Sequence, residues 1–143
     1  MTKTPVEIAR TDAELAACFP VMKELRPHLK DAAAFIAAVR RMEKESYAVA
    51  FVAEGGRPVA CMGFRAAEML ARGAHYYVDD LVTLPTARSH GHGAALLDWI
   101  EARAKAEGKA GVHLESGTQR IDAHRFYFRQ RYHVSSFHFQ KKL

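Results

Sequence analysis

Leu15, Cys18, Phe19, Met22 and Leu25 recur at helical spacing. Thr11, with Glu14 three residues on, opens that helix as a capping box. Pro20 falls inside the pattern and predicts a kink or break, because it has no N–H to give; Pro27 ends the helix. Asp31 caps a second helix whose apolar stripe is Phe35, Ile36, Val39 and Met42. A short strand is expected over Val6–Ala9. The pattern changes at Tyr47. Tyr47–Ala53 reads as a buried strand, Gly55-Gly56 as a hairpin turn and Pro58–Arg65 as the partner strand. Ala74–Thr83 is a third strand, rich in Tyr and Val. Ala94–Glu107 returns to helical period, with Leu96, Leu97, Ile100 and Ala104 on one face and Gly108 as the stop. Val112–Ser116 reads as a strand, Asp122–Arg131 as a short aromatic helix and Ser135–Lys141 as a last strand. Hairpins in the middle and crossovers near the end predict a mixed sheet with helices packed on it, an α+β or α/β fold.

Length and composition narrow the class. The 143 residues fit one domain spanning 1–143. With 49% hydrophobic and 26% charged residues, the chain can build a core, which excludes a disordered protein. No apolar run approaches the ~20 residues of a membrane span, and the first residues have no apolar signal core. A cytoplasmic protein without a membrane partner is expected. Cys18 and Cys61 sit in apolar runs and read as buried free thiols. The net charge of +5 suits a polyanionic ligand. Because the basic residues are scattered, with only short clusters such as Arg40-Arg41 and Lys141-Lys142, nucleic acid is not the expected partner.

The most informative stretch runs from Val82 through Pro85 and Arg88-Ser89-His90-Gly91-His92-Gly93 to Ala94. It joins a predicted strand to a predicted helix. Gly91 and Gly93 let the backbone approach a ligand closely. The helix start adds unpaired N–H groups and the positive end of the dipole, and Arg88 adds a full charge. Together they make a pyrophosphate cradle. It is not a Walker loop, which needs Gly-Lys-Ser/Thr. Nor is it a dinucleotide fingerprint, because Leu96 stands where the third small residue belongs.

Arg-x-x-Gly-x-Gly after a strand and a Pro-containing turn resembles the acetyl-coenzyme A signature of the Gcn5-related N-acetyltransferases. The run Asp122-Ala123-His124-Arg125-Phe126-Tyr127, followed by Ser135–Leu143, looks especially like the aminoalkylphosphonate acetyltransferases and their small bacterial relatives. The likeness covers most of the chain from Tyr47 onward. It implies a mostly antiparallel sheet with helices on both faces, acetyl-coenzyme A as co-substrate and a small-molecule amine as acceptor. It also implies cofactor contacts from Leu81, Val82 and Thr83, which pair with the pantetheine like an added strand, and from Arg88, Ser89, His90, Gly91, His92, Gly93 and Ala94. Two positions depart from the family pattern. Arg120 stands where Asn is usual, and Arg131-Tyr132 where Gly-Phe is usual; Arg120 and Arg131 are still candidates for coenzyme A phosphates.

Acetyl transfer needs a neutral amine, a stabilised oxyanion and a proton for the leaving thiolate. Tyr127 is the candidate acid, since a phenol is protonated at neutral pH and the family's matching Tyr has that role; from the residues alone, aromatic packing serves equally well. Asp80 is the candidate base, with substrate binding or a surface charge as the alternative and Glu115 as a second candidate. Strand alternation places Asp79 and Asp80 on opposite faces. A backbone N–H in Leu81–Thr83 would hold the oxyanion. Cys61 lies outside the matching motifs, so direct transfer in a ternary complex is expected.

His90-x-His92 has no carboxylate pair near it in sequence, and His133 and His138 stand isolated; none is read as a metal ligand. Arg26, His28 and Arg65 are candidate receivers of an anionic acceptor group, against ordinary solvated charge. Alternating Phe137 and Phe139 on an edge strand, together with family habit, predict a homodimer. Competing functions are acetylation of a protein or aminoacyl amine, a non-catalytic acyl-coenzyme A sensor, and a basic nucleic-acid binder.

Overall fold

Tyr47, Val49, Phe51, Cys61 and Val82 line one face of a central sheet and are buried against a helical pair bearing Leu15, Cys18, Met22, Phe35 and Val39. A computed structural model describes residues 4–143 of the chain. The elements are β1 (Glu7–Ile8), α1 (Asp12–Leu25), α2 (Ala32–Met42), β2 (Tyr47–Glu54), β3 (Arg57–Met69), β4 (Gly73–Thr83), α3 (His92–Ala106), β5 (Val112–Leu114) and α4 (Ile121–Arg129). They fall into two compact units, one reaching to His113 and the other Leu114–Leu143. No described helix is long and apolar enough to cross a membrane.

The sheet order is β1-β2-β3-β4-β5, with β1 through β4 antiparallel in turn. Ala110 donates to the carbonyl of Ala74, and Tyr76 donates to that of Gly111. These bonds advance together along both segments, the parallel sense that a helical crossover requires. The sheet is therefore mixed, with four helices, as expected. Its second face carries Met62, Phe64 and Val78 and is covered by α3. Trp99 meets Phe64 edge-on at 5.4 Å, and Leu96, Leu97 and Ile100 are fully buried. Each such side chain contributes roughly 1.5–3 kcal/mol by burial.

The ends of α1 and α2 follow the sequence. Thr11 and Glu14 form both halves of the capping box, and Asp31 accepts from the Ala34 amide. Of the expected kink or break at Pro20, the break does not occur: α1 runs through it to Leu25. Packing of Leu15, Cys18, Val21 and Met22 outweighs the one backbone bond that proline forfeits.

Two strand expectations need correction. β5 ends at Leu114, short of Ser116. Ser135–Lys141 is not a strand; among the described residues no backbone hydrogen bond lies beyond Tyr132. The alternating pattern is present, but a strand exists only with a ladder partner, and Phe137 and Phe139 stay 82% and 92% exposed.

Candidate functional site

The turn between β4 and α3 is built from its anchors outward. Leu84 donates to the Val59 carbonyl at 2.8 Å, Pro85–Ala87 form a single 3₁₀ turn, and Ala87 is buried. Arg88, Ser89 and His90 are exposed beyond that anchor. Ser89 (φ 66°) and Gly91 (φ 81°) both take the left-handed conformation, which turns successive N–H groups toward one side, as in anion-binding nests.

Helix α3 begins at His92, two residues earlier than the periodicity predicts, because Gly91 can serve as its left-handed N-cap. Whereas α1 and α2 are capped by side chains, α3 has no side-chain cap and no acidic residue in its first turn. The first amide with an intrahelical acceptor is Ala95, bonded to Gly91 O. The amides of His92, Gly93 and Ala94 are thus left for an anion. Upstream, Leu81, Val82 and Thr83 pair with Met62, Cys61 and Ala60 of β3. Counting on from the Tyr76–Gly111 bond, β5 is spent before Leu81 is reached, so these residues lie past the β4–β5 ladder.

The register between β3 and β4 slips at one point. Gly63 faces Asp80 and Phe64 faces Val78, so Asp79 is the extra residue of a β-bulge. Strict alternation would separate the two carboxylates; the bulge instead turns both toward the face carrying Tyr47 and Arg65. Asp80 accepts from Arg26 Nε at 2.8 Å through Oδ1 and from the Tyr47 hydroxyl at 2.7 Å through Oδ2. Arg26 also donates to the Asp79 carbonyl at 2.9 Å. Asp79 accepts from Arg65 at 2.6 Å, and Arg65 reaches Glu45 at 2.8 Å. A carboxylate has about four acceptor sites, and Asp80 uses two of them, so it keeps capacity for further donors. Burial raises the Asp79 carboxyl above the usual range against the opposing pull of Arg65, and burial with the Asp80 charge pushes the Tyr47 phenol far up. Arg26 and Arg65 are therefore tied to carboxylates rather than simply solvated.

Cys61 is fully buried, and its hydrogen bond toward Cys18, together with burial, holds its thiol well above the ordinary range. It is no nucleophile in this state.

In the second unit, Tyr127 sits on α4 between Phe126 and Tyr132, at ring separations of 5.4 and 6.2 Å. Burial raises its phenol above the usual value, with Arg120 pulling the other way. Arg120 is the exposed N-cap of α4. Glu115 pairs with His138 Nδ1 at 2.8 Å, so His138 is not isolated.

The histidines of the turn are also partnered. Glu54, at the end of β2, accepts from His90 Nδ1 at 2.7 Å and His92 Nε2 at 2.5 Å through one oxygen, Oε1. Nothing in the sequence signals Glu54, which lies 36 residues before His90 and meets it only through the sheet.

Comparison with known proteins places the chain beside acetyltransferases. The model of the acetyltransferase (GNAT) family matches residues 9–131. An uncharacterized N-acetyltransferase, YhdJ, from Bacillus subtilis (strain 168) is 37% identical over 115 residues, 80% of each chain. An aminoalkylphosphonate N-acetyltransferase from Salmonella typhimurium is 41% identical over 66 residues, 46% of this chain and 43% of that one. Among solved structures, a transcriptional regulator from Bacillus halodurans C-125 superposes with a TM-score of 0.83 at 21% identity, covering 97% of this chain and 100% of that one. That last likeness speaks for the fold alone.

Proposed function

Because the chain belongs to the acetyltransferase (GNAT) family, and is an acetyltransferase with acetyl-coenzyme A as co-substrate, we propose that it acetylates a primary amine of a small molecule by direct attack in a ternary complex. The uncapped start of α3 behind the Arg88–Gly93 turn carries the reading. It fits a pyrophosphate: free amides, the positive end of a dipole and one arginine, with no acidic residue in the first turn.

In this reading the amides of Ser89 through Ala94 and the Arg88 guanidinium hold the phosphates. Leu81, Val82 and Thr83 present their backbone to the pantetheine arm, and Arg120 takes a further phosphate. Acetyl-coenzyme A brings an activated thioester carbonyl. Asp80 accepts the proton of the attacking amine, directly or through one water, with Arg26 and Tyr47 fixing its orientation. Tyr127 keeps a proton on its hydroxyl for the departing sulfur. The inert, buried Cys61 supports direct transfer over an acyl-enzyme. The two compact units act as one domain, supported by a family match that runs through both. A homodimer is part of the same reading, supported by the exposed Phe137 and Phe139. A monomer mass by light scattering at micromolar concentration would remove it.

The test is release of free thiol from acetyl-coenzyme A against a panel of aminoalkylphosphonates, amino acids, polyamines and peptide N-termini. Turnover with a small amine and intersecting initial-rate lines are expected. Turnover only with peptides would move the acceptor to a protein amine, and parallel lines would refute the ternary complex. Coenzyme A binding without turnover on any amine would make the chain a sensor.

A further inference from the structure

Glu54, His90 and His92 place one carboxylate oxygen and two imidazole nitrogens around a single point. The donor atoms of all three lie within 4.8 Å of one another. The two rings stand 5.7 Å apart at 79°, so their nitrogens converge from different directions rather than stacking. His92 is 7% exposed and is held by the first turn of α3, while Glu54 and His90 are exposed at the rim. One wall is therefore rigid and the mouth is open.

We propose that Glu54, His90 and His92 form a binding site for one divalent transition-metal ion of the zinc class. Imidazole nitrogens with a single carboxylate suit Zn²⁺, Co²⁺ or Ni²⁺; Mg²⁺ and Ca²⁺ prefer all-oxygen shells with more carboxylates. Ligands at ~2.0–2.1 Å from a tetrahedral ion lie about 3.3 Å from one another. The present separations of 2.5 and 2.7 Å between Glu54 and the two rings have to open by less than one ångström, within reach of an exposed glutamate side chain.

Each ring must present a bare nitrogen to the ion. His90 then carries its proton on Nε2 and His92 on Nδ1; a ring that was protonated releases the extra proton to solvent. His92 Nδ1 has no protein partner, so no second hydrogen bond locks the opposite tautomer. Three protein ligands leave a coordination position for water or an anion, as in open zinc sites. The site lies on the turn that leads into α3, and an ion there adds positive charge beside the cradle.

The test uses the tag-free 143-residue chain dialysed against a chelator, with Zn²⁺ titrated by calorimetry and Co²⁺ followed by visible absorption. One equivalent of Zn²⁺ should bind, and Co²⁺ should take a spectrum distinct from the aqueous ion. His92 is buried and its replacement risks the fold, so the deciding variants are the exposed E54Q and H90Q, with thermal melts as the folding control. Loss of an outer hydrogen-bond partner alone costs 10–100-fold in affinity, so each variant should weaken Zn²⁺ by at least about tenfold, while H133Q binds as the wild type does. Zn²⁺ affinity unchanged by E54Q and H90Q, or an aqueous Co²⁺ spectrum in the wild type, overturns the site.

Discussion

The Tyr47 hydroxyl donates to Asp80 Oδ2 at 2.7 Å directly above the Cα of Gly63. A Cβ at residue 63 would collide with both groups. The glycine is there for close approach, not for an unusual φ, and it lies opposite Asp80 where the β-bulge lets β4 deviate. Gly63→Ala should push Tyr47 and Asp80 apart, at a cost of about 1–3 kcal/mol from overpacking. It should also lower kcat/KM with little effect on coenzyme A affinity. Thermal melts and steady-state rates on one preparation check both parts; an unperturbed melt would show that the strand yields elsewhere.

Gly91 poses a different problem. Nothing lies within 4 Å of a Cβ built there, yet its φ of 81° is one that β-branched residues scarcely adopt. Gly91→Val should therefore distort the cap of α3 without a clash. Coenzyme A affinity should fall at least tenfold while the far-ultraviolet spectrum stays that of the wild type. Equal affinity by calorimetry would refute the role of this turn.

Tyr127→Phe removes one hydroxyl from a half-buried aromatic position. If that hydroxyl serves the leaving thiolate, kcat should fall by ~10²-fold while coenzyme A affinity holds. The pH profile gives an independent readout. The acid is the protonated phenol, so its contribution is lost as pH rises through its pKa. Burial raises that pKa above the ordinary value of about 10. The wild type should therefore show no alkaline loss assignable to Tyr127 below about pH 10; full activity in the variant would assign protonation to solvent or another group.

The turn from β4 into α3 is legible because its signal is local: strand, Pro85, Arg88, Gly91 and Gly93 follow one another within a dozen residues. The cluster of Asp80 with Arg26 and Tyr47 is not. Asp79 and Asp80 broke the alternation of β4, which was a usable hint of a bulge, but strict alternation assigned them to opposite faces. Tyr47 read as the first residue of a buried strand, and nothing nearby marked its hydroxyl as a partner for a residue 33 positions away. Glu54 was invisible for the same reason. Pro20 shows the opposite limit: the local rule predicts a kink or a break, and packing against the sheet keeps α1 unbroken. Ser135–Lys141 shows the limit of periodicity, since Phe137 and Phe139 alternate correctly in a segment without a ladder.

The end of α4 shows how this chain accommodates the loss of the family's usual glycine. Arg131 donates to the Phe128 carbonyl and Tyr132 to that of Tyr127, both at 3.0 Å, which is the paired closure of a Schellman cap. The cap requires a left-handed residue at 131, and Arg131 supplies it with φ 66°. A non-glycine residue there costs roughly 1–2 kcal/mol. Two backbone bonds and the Tyr127–Tyr132 ring contact, 6.2 Å between centroids, hold it in place. Arg131→Gly relieves the strain but frees more unfolded-state entropy, which takes back part of the gain. The net effect should be stabilisation by about 0.5–1 kcal/mol. Denaturant unfolding of wild type and variant measures it. Alanine is the necessary control, because it shares the arginine's Cβ and removes only the charge and length. Arg131→Ala should leave stability near that of the wild type; if it stabilises as much as glycine, the cost at this position comes from the guanidinium and not from the backbone.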